Sequence, residues 1–359
     1  MPGNTRSRRK TKRSSGQKPR HAPRDVDRRA LEGQMWELSR LVEAQDGLES
    51  ADEVNAFLQK AIAPQERIQT EKITPLDQAQ ELMYRAWDSR GRRRVQLAHQ
   101  ALQVSPDCAD AYVLLAEETA RSASDALALY TKGVAAGERA LGEELFESEA
   151  GRFWGLIETR PYMRAREGLA ECLWAVGRRD EAIAHYQAMI HLNPNDNQGI
   201  RYMLASCLLE AGRYEETERL IRAYKTDDSA AWLYSKALLA FCQQGKGRRA
   251  TLAIRKALEA NINVPAYLLG LERPPKRQPS TYTMGDKAEA WSYLTYATRG
   301  WTESSEALTW LLDEFEIGLK KQLRNVMLHL PGFDELEDAA RSEEGRGSVQ
   351  VGSVLLRPG

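Results

Sequence analysis

No stretch of this chain approaches the roughly 20 consecutive apolar residues that a membrane-crossing helix needs. The longest, around Tyr112–Ala116 and Leu238–Cys242, fall far short, so no membrane insertion is expected. No apolar core follows the charged N-terminus, so no secretory signal is expected either. Cysteine is scarce. Cys108, Cys172, Cys207 and Cys242 stand far apart without CxxC spacing, which points away from a disulfide framework or a zinc site and toward a reducing cytoplasm. Among His21, His99, His185, His191 and His329, none pairs with another three or four residues away, the spacing that sets two ligands on one helical face. No Gly-rich phosphate loop, GxSxG or HExxH occurs, and carboxylate pairs such as Glu117-Glu118, Glu143-Glu144 and Asp227-Asp228 have no nucleophile or base beside them. The expectation is a protein that is not an enzyme and takes no cofactor or metal.

Acidic residues are missing from residues 1–24, which carry nine Lys or Arg. The chain is formally neutral overall, with 51 basic and 51 acidic residues, so the rest is an acidic body of 42 basic against 51 acidic residues. The tail has little to bury and reads as disordered. Its cations could contact phosphates with counterion release, but no aromatic is interleaved for base stacking. A solubilising tail and a nucleic-acid contact through residues 1–24 are both open, the first being the simpler.

What is plainly present is repetition. Leu169-Ala170 recurs as Leu204-Ala205, and Gly177 recurs as Gly212 and Gly245, at intervals of 35 and 33 residues. These bracket the roughly 34-residue period of tetratricopeptide helix pairs. Such a pair cannot bury its own apolar face and must stack on neighbours, which builds an extended binding surface. The fold class expected is all-α: a tetratricopeptide-like helical-hairpin solenoid of about five to six pairs behind a disordered basic tail.

Along the chain, residues 25–73 form an amphipathic helical segment. Leu31, Met35, Leu38, Leu41 and Val42 lie at spacings of three and four, and a second piece holds Val54, Phe57, Leu58, Ala61 and Ile62. The solenoid runs from 74 to 330, opening at the Thr74-Pro75 cap. Its first pair ends at Pro106, with Arg94 standing where a small residue usually lets two helices approach. A second pair covers Asp110 to about Leu141, 142–159 reads as a connecting loop, and regular pairs follow at 162–194, 197–226 and 230–260. Arg273–Ser280 is a Pro-rich interruption, Gly285–Leu312 a terminal pair, and 331–359 an acidic flexible tail.

Several stretches resemble a known family: Ala101–Glu117 (ALQVSPDCADAYVLLAE), Asn261–Leu269 (NINVPAYLL) and Gly285–Ala290 (GDKAEA). They resemble the suppression-of-tumorigenicity-seven family of tetratricopeptide-like proteins, in the same order over roughly residues 80–312. Glu158–Met163 and Asn193–Gly199 resemble its bacterial branch. The resemblance implies an all-helical repeat with a scaffold or regulatory role and no catalytic residues to carry over. Animal members have membrane-spanning segments at the N-terminus, where this chain has the basic tail.

The candidate partner-binding surface is the concave face lined by the first helix of each pair. Register counting assigns to it Arg164, Glu167, Glu171 and Trp174, then Tyr202, Ser206 and Leu209, then Trp232, Ser235 and Leu239. Aromatic and Arg side chains are the usual anchors for a protein or peptide partner, though Trp174 and Trp232 equally suit gaps between units. Phe153 and Trp154 read as a gate over the groove or, more simply, as a hydrophobic clasp between pairs two and three. Gly168 and Met203 stand where a carboxylate clamp would need polar side chains, so that mode is not expected.

Overall fold

The structure, a computed structural model, describes residues 28–43, 50, 53, 56, 73–273, 275, 276, 279 and 281–327. The basic tail, the second amphipathic piece around 54–62 and the acidic stretch 331–359 lie outside these residues, apart from the isolated position Ala56. Among the described residues the protein is all-helical, with fourteen α-helices, one short 3₁₀ turn and no strand. No helix among them is long and apolar enough to cross a membrane.

Two compact units are distinguished. The first holds residues up to Asp227 together with 275–282 and 295–300, and the second holds 228–274, 283–294 and the residues from Trp301 onward. In the first unit α1 (Arg28–Glu43) precedes four hairpins: α2 (Pro75–Asp88) with α3 (Arg92–Val104), α4 (Ala109–Thr119) with α5 (Ala123–Ser148), α6 (Arg160–Ala175) with α7 (Arg179–Leu192), and α8 (Ile200–Glu210) with α9 (Tyr214–Ala223). Each helix packs on the next, and first helices also meet, α2 on α4 and α4 on α6. That is the sharing of apolar faces the repeat period predicts.

Local chemistry explains the boundaries. Thr74 accepts from the Asp77 amide while Asp77 accepts from the Thr74 amide, a reciprocal cap, and Pro75 supplies the preset first turn. Ala79, Ala86, Ala98, Ala101, Ala170, Ala182 and Ala205 have no solvent exposure, which lets helix axes approach. Arg94 turns aside to Glu118 at 2.7 Å, with its guanidinium 5.4 Å from the centre of the Trp87 ring.

The connecting loop is shorter than 142–159. Gly142 takes a left-handed turn (φ 70°, ψ 160°) that kinks α5, yet the chain stays helical to Ser148. That extra turn carries Phe146 to within 5.0 Å of both the Phe153 and Tyr162 rings, so an apolar contact outweighs the Gly-rich local pattern.

The second unit contains α10 (Ala230–Gln244), α11 (Arg248–Ala260), α12 (Asn263–Leu268) and most of α13 (Lys287–Thr302) and α14 (Ser305–Met327). Its core is aromatic: Trp310 stacks on Phe241 at 4.7 Å and on Trp301 at 6.4 Å, and Trp301 donates through its indole nitrogen to Tyr293. Two of the family-resembling stretches meet here. Buried Asn261 donates to the Asp286 carbonyl and the Glu289 carboxylate, while Glu289 also accepts from the Ala230 amide. These stretches form a polar joint between α10, α11 and α13.

Candidate partner-binding face

The face formed by α2, α4 and α6 is not bare, because α1 lies on it. As α1 advances it contacts α2 in reverse: Arg29 stacks 3.6 Å over the Trp87 ring, Trp36 meets Tyr84 at 5.6 Å, and Arg40 pairs with Asp77 at 3.3 Å. The two helices are therefore antiparallel. Arg29 also forms a two-pronged pair with Glu117 of α4, at 2.8 and 3.0 Å. Planar guanidinium groups suit both roles, stacking on the ring and forking onto the carboxylate.

Beneath α1 lies a buried polar cluster contributed by four helices. Arg164 of α6 donates through Nε (2.9 Å) and Nη2 (2.7 Å) to Asp110 of α4, and through Nη1 (2.7 Å) to Glu32 of α1. Gln80 of α2 donates to Asp110 at 2.8 Å, and Arg160 pairs with Glu32 at 3.3 Å. Burial works against the charge on Arg164, but the facing carboxylates of Asp110 and Glu32 outweigh it and hold its pKa above the ordinary arginine value. Asp110 has no solvent exposure, so its charge is tolerable only because three donors satisfy it. Beside Trp36 the face opens into a cleft floored by Leu76, Tyr84, Ile157 and Tyr162, with Asp77 and Asp107 among its lining.

The residues singled out by register counting divide in two. Arg164, Ser206, Trp232 and Phe153 are buried and present nothing to a partner as the chain stands. Arg164 faces the expected surface but is covered by Glu32; Ser206 donates to the Tyr296 carbonyl at 2.8 Å. Trp232 is fully buried within the second unit. Phe153 packs against Phe146 and Tyr162, with its carbonyl accepting from the Thr159 hydroxyl, so it is core and not a gate. Glu171, Trp174, Tyr202 and Trp154 are half-buried. Arg179 lies 5.0 Å over Trp174, Arg160 lies 5.4 Å over Trp154, and Tyr202 donates to Asp227 beneath Arg201.

Sequence reasoning missed Arg29, Glu32, Trp36 and Arg40 because it followed the apolar stripe of the same helix. Leu31 (57% exposed) and Met35 (49%) point outward instead. The missed four also fall at spacings of three and four, a signal the apolar stripe masked.

Among the described residues, stacked helix pairs without strands, with one face covered by a further helix, define an all-helical hairpin-repeat protein. The chain belongs to the ST7 protein family, whose sequence model matches residues 65–321. It is 31% identical over 258 residues to the Suppressor of tumorigenicity 7 protein-like of Homo sapiens, covering 64% of this chain and 44% of that protein. The protein of the same name from Rattus norvegicus is 30% identical over 271 residues, covering 68% and 47%. Protein ST7 homolog of Drosophila melanogaster is 28% identical over 264 residues, covering 64% and 47%. The chain thus spans less than half the length of these relatives.

Proposed function

We propose that this chain is a non-catalytic, cytoplasmic tetratricopeptide-like scaffold that holds a helical segment of a protein partner against the first helices of its leading pairs. The observation that carries this reading is that α2, α4 and α6 together already hold a helix, through stacked Arg–Trp contacts and charge pairs. Buried aromatics and paired arginines are the anchors that interfaces concentrate their affinity on, and carboxylate–guanidinium pairing selects register. A thiolate nucleophile is disfavoured at three of the four cysteines. Burial pushes Cys172 up to about 12 and raises Cys108 and Cys207 as well, leaving all three protonated.

The test is affinity capture with the full chain against an Arg160→Glu/Glu117→Arg variant whose helix content is checked by circular dichroism. A partner retained by the parent and lost by the variant supports the reading; equal capture by both sinks it. A nucleic-acid-associated role rests on the nine basic residues of 1–24. It calls for RNA or DNA binding with a steep salt slope that disappears when those residues are neutralised.

A further inference from the structure

We propose that α1 is the resident occupant of the α2–α4–α6 face, and that the face selects a partner helix of the same chemistry, Arg-x2-Glu-x3-aromatic-x3-Arg, which binds by displacing it. This deepens the reading above and rests on it. The pattern is the one α1 displays: Arg29, Glu32, Trp36 and Arg40 each meet a complementary group. The receiving cation is fixed independently of α1. Asp110, which itself accepts from Gln80, takes two of the Arg164 nitrogens while Glu32 takes the third, so that third nitrogen stays aimed at the groove when Glu32 departs. Arg160, one turn earlier, adds a second cation at the same point, and Glu117 with the Trp87 ring forms an acidic, aromatic seat for a guanidinium.

An entering helix therefore needs a carboxylate three positions after a basic residue, and an aromatic four positions further on. A helix with the opposite charge order meets Arg164 and Arg160 with a cation and Glu117 with an anion, which the site rejects. Two features make α1 replaceable. Its outward side chains Leu31 and Met35 are about half exposed, so its far face is open to solvent. Among the described residues a cleft remains beside Trp36, over Leu76, Ile157 and Tyr162, within reach of a side chain on an entering helix.

The experiment titrates a fluorescent peptide of residues 26–45 into full-length chains, with hydrogen exchange of the α1 amides followed in parallel. The wild-type chain should bind the peptide weakly, with α1 protected until peptide is added. A chain weakened on α1 by Arg29→Ala/Trp36→Ala should bind it at least tenfold more tightly, because the resident no longer competes. A peptide carrying Glu32→Lys should lose at least tenfold on the weakened chain, whereas scrambling only its outward residues Leu31 and Met35 should cost little. Equal affinity of both chains for the peptide overturns the displacement. If α1 amides are unprotected in the wild-type chain and the peptide still binds tightly, residency is overturned while the groove reading above survives. Absence of binding to either chain overturns both. A wild-type dimer that dissociates on Arg29→Ala/Trp36→Ala also overturns the proposal, by assigning the face to α1 of a second copy.

Discussion

Glu32 and Arg164 stand 132 residues apart in the chain and meet at 2.7 Å, the guanidinium reaching α1 with one nitrogen while the other two hold Asp110. One side chain thereby joins the N-terminal helix to the second and third hairpins. Removing it leaves Asp110, a carboxylate with no solvent exposure, without its cation and with the Gln80 amide as its remaining side-chain donor.

Arg164→Met should therefore lower unfolding stability by about 3–5 kcal/mol, the cost of leaving a buried charge without its partner. The double variant Arg164→Met/Asp110→Leu should recover much of that loss, since it removes both charges. Urea denaturation of the two variants and the parent measures this directly; a double variant less stable than the single one would contradict it.

Close approach makes a second, local prediction. A Cβ on Gly168 would run into the Tyr130 ring, and one on Gly137 would come within 2.8 Å of Tyr162. Gly168→Ala should cost about 1–3 kcal/mol by overpacking α6 against α5, despite alanine's better helix propensity. A thermal midpoint equal to or above the parent's would refute the close packing.

Trp232 supplies a third test, because a partner anchor and a core residue fail differently. It has no solvent exposure. Trp232→Ala should remove about 3–5 kcal/mol of stability through the cavity it leaves. An intact thermal midpoint combined with weakened partner capture would restore it to the surface role that register counting gave it.

The pH dependence has a definite sign at His185. Half-burial, then the neighbouring Arg166, hold its pKa below the ordinary histidine value, and its Nδ1 accepts from Arg166 Nε at 3.2 Å. The unfolded imidazole takes its proton near pH ~6.5. Below that pH the unfolded state binds more protons than the folded one, so stability falls until the folded imidazole also charges. Between pH 7.5 and 5.5 the thermal midpoint of His185→Gln should decline less than that of the parent. Parallel declines would remove His185 from the account.

The repeat was legible because its signals are local. Gly177 and Gly212 end their helices, and Leu169-Ala170 and Leu204-Ala205 mark the same packing position in successive units. The proposed partner face was only half legible. Register counting groups Arg164 with the groove side of α6, but nothing within its own repeat discloses that Glu32, 132 residues away on α1, lies against it. In α1 the apolar spacing marks a helix without saying which side is covered, and stacking and charge pairing turn Arg29, Glu32 and Trp36 inward. At 142–159 the glycines read as loop, and the helical turn bearing Phe146 escaped because its reason, the Phe153 and Tyr162 rings, lies outside the window.

The joints after Gly177 and Gly212 are near copies. Both glycines are left-handed (φ 86° and 69°), and the next amide returns to Leu173 or Leu208 at 2.9 Å in each. Arg178 and Arg213 then share almost the same dihedrals and each forks onto a glutamate three residues later. Excising residues 178–212 would leave the same Gly–Arg dipeptide at the splice, with the same backbone turn available to it. Gain or loss of length in this stretch can thus proceed in whole steps of one hairpin, with no unfamiliar seam for the chain to accommodate.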